Sequence, residues 1–167
     1  GLIFVLLAIF RLFLVGNFTK VDAAATTVTK TSFSATSADL DNVVSYTTAK
    51  GGGTTNPAVN SNQIRLYQNS NGTGGGTITI TIDSNYEFKS VTIGSSMKTS
   101  IAYTIDSSTT KSTTASLAAN GKYTVDNIDG TSITFHCMGT SSSTRLYVNY
   151  LSVTYDMKNT GATTVVI

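Results

Sequence analysis

The sequence predicts an all-β protein built as an antiparallel two-sheet β-sandwich with about nine strands in a jelly-roll-like arrangement. From Thr26 onward apolar and polar residues alternate, and no stretch repeats with the period of an α-helix. In Thr77–Ile82 the alternation of Thr and Ile is strict, as expected for a strand with one buried and one solvated face. Turn sequences rich in Gly, Asn and Asp recur every 8 to 12 residues or so, which is typical of a sandwich.

Alternating runs of this kind define the predicted strands. They are Val28–Phe33, Val43–Tyr46, Ile64–Tyr67, Thr77–Ile82, Phe88–Ile93, Ile101–Ile105, Tyr123–Val125, Ile133–Met138 and Leu146–Tyr155. Glycine-rich connections such as residues 71–76 supply the positive φ angles that tight turns demand. We therefore predict one sandwich domain over residues 26–158, and a tail or a further edge strand over residues 159–167.

The last predicted strand contains an irregularity. Its apolar positions are even-numbered up to Tyr150 and odd-numbered from Leu151 onward, which a regular strand with one buried face cannot accommodate. A β-bulge near Tyr150 would add one residue and restore the alternation. The alternative is a central strand that is buried on both faces.

Residues 1–25 are predicted to be a helical signal peptide or a membrane anchor. Leu2–Phe10 and Leu12–Val15 are apolar and separated only by Arg11, and Ala23–Ala25 follows. A short apolar core followed by small residues is typical of a secretory signal, whereas a membrane span needs about 20 apolar residues. A third interpretation is a helix on which subunits polymerise. The expected location is extracellular or at the cell surface, with membrane contact only through residues 2–15 if they are retained.

Composition argues against several function classes. Charged residues make up only 12% of the chain and the formal net charge is +2, with Lys and Arg scattered along the sequence, so nucleic acid is not an expected partner. The single Cys, Cys137, cannot form an intrachain disulfide and alternates with Ile133 and Phe135 as a core residue. The single His, His136, is adjacent and points to the opposite face, so the two cannot act together. We predict no catalytic residue and no cofactor.

The tripeptide Arg-Leu-Tyr occurs twice, at residues 65–67 and 145–147. In each copy Leu faces the core, so Arg and Tyr share the outer face. If the two strands are neighbours, their side chains form one patch that suits a sugar, because rings stack on aromatic faces while guanidinium and amide groups bind hydroxyls. The predicted ligand-binding residues are Arg65, Tyr67, Arg145, Tyr147 and Asn149. The alternative is that these residues are cross-strand pairs that only stabilise the sheet.

A weaker candidate is a structural Ca²⁺ site at Asp39 and Asp41. Two carboxylates and the amide of Asn42 lie within one loop, and Ca²⁺ prefers oxygen ligands, but it needs six to eight of them. A capped turn is the alternative interpretation of this loop.

Four segments together carry a resemblance. Residues 64–67, 76–80, 89–93 and 145–155 resemble a loosely defined group of β-sandwich domains in secreted bacterial proteins, similar to carbohydrate-binding jelly rolls. The resemblance implies an accessory, non-catalytic module that binds glycan or another cell-surface polymer. The alternative function is a structural subunit of a surface layer, an adhesin or a pilus-like filament, in which copies of the chain self-associate.

Overall fold

The computed structural model describes residues 24–159. Nearly all of the predicted leader and of the predicted C-terminal tail therefore lie outside the described residues. Within the described range the protein is all-β, and its only helical element is a single 3₁₀ turn at Ser142–Thr144. No helix in this range has the length and apolarity needed to cross a membrane.

The strands fall into two antiparallel sheets. In chain order they are β1 (Thr26–Lys30), β2 (Ala38–Asp39), β3 (Val44–Ala49), β4 (Ala58–Asn60), β5 (Gln63–Leu66), β6 (Thr77–Ile82), β7 (Tyr86–Ser95), β8 (Thr99–Ile105), β9 (Ala115–Leu117), β10 (Gly121–Asp126), β11 (Ser132–Cys137) and β12 (Leu146–Met157). Sheet A has the order β10-β7-β12-β5-β4. The strand β1 also belongs to it and pairs with residues 151–155 of β12. Sheet B has the order β2-β3-β6-β11-β8-β9.

Alternate residues of both sheets form one buried cluster, consistent with a β-sandwich. Ile78, Ile80 and Ile82 of β6 are buried, as are Ile133, Phe135 and Cys137 of β11. Sheet A contributes its own alternating set from β7 and β12. The apolar residues of the alternating pattern that predicted these strands therefore form one hydrophobic core between the two sheets.

Each of the nine predicted runs overlaps a strand, although β1 ends at Lys30 where the predicted run continues to Phe33, and the structure has three more strands. The additional strands, β2, β4 and β9, have only two or three residues each and lie at sheet edges. Runs this short contain too few alternations for a period of two to be recognised.

The predicted irregularity in the last strand is a β-bulge. Val148 of β12 pairs with Ser95, and Tyr150 pairs with the next residue of β7, Gly94, so Asn149 is the extra residue. Val148 before the bulge and Leu151 after it are both buried, whereas Asn149 and Tyr150 are partly exposed. The alternative of a strand buried on both faces is wrong.

A glycine pair joins the two sheets next to the end of β5. The amide of Gly76 donates to the carbonyl of Tyr67 at 2.8 Å, and the amide of Gly75 donates to the carbonyl of Cys137 at 2.7 Å. A Cβ at Gly75 would overlap the carbonyl oxygen of Tyr67, so the close approach requires glycine. This junction holds the end of β5, and with it Tyr67, against sheet B.

Candidate functional site

The two Arg-Leu-Tyr tripeptides lie side by side on sheet A. In the β5-β12 ladder Arg65 pairs with Tyr147 and Leu66 pairs with Leu146. Both leucines are fully buried, so Arg and Tyr point to the outer face as the sequence predicts.

Each Arg stacks on the Tyr of the other copy. The guanidinium carbon of Arg65 is 5.0 Å from the ring centroid of Tyr147, and that of Arg145 is 4.8 Å from the ring centroid of Tyr67. These separations are within the range of cation–π contacts. All four side chains are partly exposed. The four side chains therefore form cross-strand pairs that can stabilise the sheet, and they are also accessible to solvent.

The two guanidinium groups differ in their hydrogen bonds. Nε of Arg145 donates to Oε1 of Gln68 at 2.7 Å, which fixes the plane of that guanidinium group. Nε of Arg65 is buried and has no acceptor among residues 24–159. A buried N–H without an acceptor is costly, and Nε of Arg65 is such a donor.

The bulge extends the patch towards β7 and β10. Tyr150 lies beside Gly94, where an added Cβ would approach the Cβ of Tyr150 to 2.8 Å and Oδ1 of Asn149 to 3.2 Å. Nζ of Lys122 on β10 is 3.6 Å from the ring centroid of Tyr150. We call this whole set the Arg/Tyr surface: Arg65, Tyr67, Lys122, Arg145, Tyr147, Asn149 and Tyr150.

Sequence reasoning missed Lys122 and Tyr150. A signal for Lys122 was present, because Tyr123 and Val125 alternate as inward residues and place Lys122 outward. Tyr150 could be assigned to the outer face only once the bulge was located at Asn149, since a bulge changes the face of every later residue.

The Arg/Tyr surface presents guanidinium groups, an ammonium group, phenol rings and one amide. A stacked guanidinium group keeps its in-plane N–H groups available for hydroxyl or acidic oxygens. Partly exposed Tyr rings offer apolar faces and a phenol donor. The surface contains no Asp, Glu, His, Cys or Ser.

Asp39 and Asp41, the candidate Ca²⁺ ligands, both line one surface cavity, together with Asn42 and Asp83. Oδ1 of Asp41 accepts the amides of Val43 at 2.8 Å and Val44 at 2.7 Å, and Oδ2 accepts the phenol of Tyr155 at 2.7 Å. Asp39 is exposed on β2, and among residues 24–159 no three His, Cys, Asp or Glu side chains are grouped as metal ligands require. Asp41 caps this turn through these hydrogen bonds, and the Ca²⁺ site stays a prediction.

The Asp41–Tyr155 contact also ties the two sheets together at their opposite end. Burial would raise the pKa of Asp41, but the hydrogen bonds from Tyr155 and from the two backbone amides outweigh it, and the pKa is lowered. Burial and the hydrogen bond to Asp41 raise the pKa of Tyr155 to about 12. The pair is therefore an ionised carboxylate that accepts from a neutral phenol at neutral pH.

Cys137 and His136 face opposite sides of β11, as the sequence predicts. Cys137 is fully buried, and burial raises the pKa of its thiol. His136 lies on the outer face of sheet B, where its Nε2 is 3.1 Å from Oγ1 of Thr104. Burial and the nearby charge of Lys111 lower the pKa of His136 to about 4. Neither group is placed to activate the other.

Comparison with known proteins gives no relative for this chain. No family model, curated protein or solved structure matches it.

Proposed function

We propose that the protein is a non-catalytic extracellular binding module that attaches to carbohydrate or cell-surface glycan through the Arg/Tyr surface. The observation that carries the proposal is the pair of reciprocal Arg–Tyr stacks on one solvent-facing sheet, at 5.0 and 4.8 Å. Two parts of this proposal rest on the sequence alone: the extracellular location and the resemblance to carbohydrate-binding jelly rolls.

The rigidity of the surface supports this function. Its residues lie on or directly beside the strands β5, β12 and β10 of one sheet, with β7 between β12 and β10. Ladder pairing rather than loops sets their positions. A binding face fixed in advance loses little conformational entropy when a ligand binds. Tyr67, Tyr147 and Tyr150 offer ring contacts along one face, and the Asn149 amide and the two guanidinium groups supply hydrogen bonds for sugar hydroxyls.

A structural, self-associating role has less support. Strands β2, β4 and β9 are edge strands of two or three residues, and such short edges offer little backbone for pairing between copies. The longer edge strands are β1, with five residues, and β10, with six. Lys30 ends β1, and Lys122 and Asp126 are exposed on β10; charges on an edge oppose such pairing.

A glycan array with the whole chain tests the proposed function. We expect binding to at least one glycan class, and a loss of at least tenfold in affinity for Tyr67→Ala and Tyr147→Ala. The matched control is Thr154→Ala, on the same face of β12 but at the far end of the strand, paired with Thr27. Circular dichroism establishes that each variant is folded. Binding that survives both Tyr substitutions, or no binding to any glycan, would refute the proposal.

A further inference from the structure

Charges that are scattered along the sequence are separated in space by the fold. The ladders bring Leu66, Ser95, Cys137 and Leu146 to one end of the sandwich. The opposite end gathers Ile82, Tyr86, Ser132 and Met157. We call them the basic end and the acidic end, for the residues that they carry.

Every Asp and Glu among residues 24–159 lies at or beside the acidic end. They are Asp39, Asp41, Asp83, Glu87, Asp106, Asp126, Asp129 and Asp156. Most of the cations lie at the basic end, namely Lys50, Arg65, Lys98, Lys111, Lys122 and Arg145. Lys30 pairs midway along β12, and Lys89 and Lys158 lie at the acidic end.

The separation is large enough for the two ends to act independently. Arg145, just before β12, and Asp156, near its end, are eleven positions apart. At about 3.3 Å per residue this is a distance of about 35 Å. The Debye length at physiological ionic strength is about 8 Å. The carboxylates therefore leave the positive potential of the basic end largely uncancelled.

Within the basic end, the Arg/Tyr surface lacks internal counter-ions. Among residues 24–159 neither Arg65 nor Arg145 forms a salt bridge, and the only acceptor that either has is the neutral Gln68. A guanidinium group forms its strongest hydrogen bonds with acidic oxygens. The acid that is missing from the protein is what a ligand would supply.

We infer that the ligand of the Arg/Tyr surface is an acidic glycan, a sugar polymer that carries carboxylate or sulfate groups. This inference rests on the proposed function and narrows its substrate class. The two guanidinium groups lie on adjacent strands at diagonal positions, where Cβ atoms are about 7 to 8 Å apart, so one acidic chain can reach both. Exposed Lys50, Lys98 and Lys122 add long-range attraction around them.

Paired polymers that differ only in charge test the inference. The whole chain is titrated with polygalacturonate and with its methyl ester, and with dextran sulfate and dextran, at several salt concentrations. We expect at least tenfold tighter binding to one or both acidic members than to their neutral counterparts, and a clear loss of affinity as salt increases. The two acidic members distinguish carboxylate from sulfate as the group that is bound.

Matched lysine variants locate the effect. Lys98→Gln at the basic end should weaken acidic binding about two- to fivefold, whereas Lys158→Gln at the acidic end removes the same charge and should leave binding unchanged. Tighter or equal binding of the neutral members overturns the inference but leaves the proposed function standing. Binding to none of the four polymers, together with an unreactive glycan array, overturns both. Single-stranded DNA bound as tightly as the acidic polymers would show that charge alone is recognised, and would also overturn the glycan assignment.

Discussion

Deleting Asn149 should leave the protein folded, although this residue lies in the longest strand. Asn149 is the extra residue between Val148, which pairs with Ser95, and Tyr150, which pairs with Gly94. Its removal leaves no extra residue between these two pairs, so Val148 and Leu151 still point inward, and the second register shift of this ladder, between Thr154 and Tyr155, is untouched. No core side chain changes face, so we expect a loss of less than about 2 kcal/mol in the free energy of unfolding.

Deletion of Ser152 in the same strand should have the opposite result. It moves Val153 and Tyr155 from the core to the outer face and turns Thr154 inward. Exposing two buried side chains costs about 3 to 6 kcal/mol, and burying a hydroxyl without a partner adds about 1 to 3. The total approaches the whole stability of a domain, which is about 5 to 15 kcal/mol.

Denaturant unfolding followed by circular dichroism compares the two deletions. The expected result is a cooperative transition for the Asn149 deletion and a largely unfolded chain for the Ser152 deletion. Equal destabilisation by both deletions would contradict the bulge at Asn149 and the register on either side of it.

Two further predictions concern ionisable groups. His136 is the only His of the chain, so its NMR titration is unambiguous and should give a pKa of about 4; Lys111→Gln should raise that value. Because the ordinary pKa is 6.5, the unfolded chain binds more protons between these values, and stability due to neutral His136 is complete above pH 6.5 and lost as pH falls towards 4. A titration near 6.5 would contradict the burial of His136. Tyr155→Phe should cost about 1 to 2 kcal/mol at pH 7, because it removes the hydrogen bond to ionised Asp41. The lowered pKa of Asp41 makes this contribution complete above about pH 3.8 and lost as pH falls below it, so wild type and variant should converge in acid; a constant difference would be the contrary result.

The sequence alone predicted the all-β class and nine of the strands, and it gave the bulge as one of two explanations for the last strand, all for one physical reason. Each of these features is recorded in the alternation of apolar and polar residues along a single strand. The change of parity after Tyr150 is as clear in the sequence as the bulge is in the ladder. The sequence predicted a patch from the two Arg-Leu-Tyr tripeptides only if their strands are neighbours. Whether β5 and β12 are neighbours depends on the topology and not on either tripeptide.

Features that depend on strand order could not be predicted. Lys50, Lys98, Lys122 and Arg145 are far apart in the chain and gather only because their strands begin or end on the same side of the sandwich. Cations that are scattered along the sequence are therefore grouped in the folded protein. Asp41 presents the same difficulty, since its partner Tyr155 lies 114 residues away and no local pattern links them.

The central claim is that the Arg/Tyr surface is where glycan binds, and NMR mapping tests it most directly. Backbone amide shifts are recorded while the glycan identified on the array is added to the whole chain. The account predicts changes concentrated at Arg65, Tyr67, Tyr147 and Asn149, and none on the outer face of sheet B. Changes centred on sheet B, or on the acidic end around Asp41 and Asp83, would contradict it.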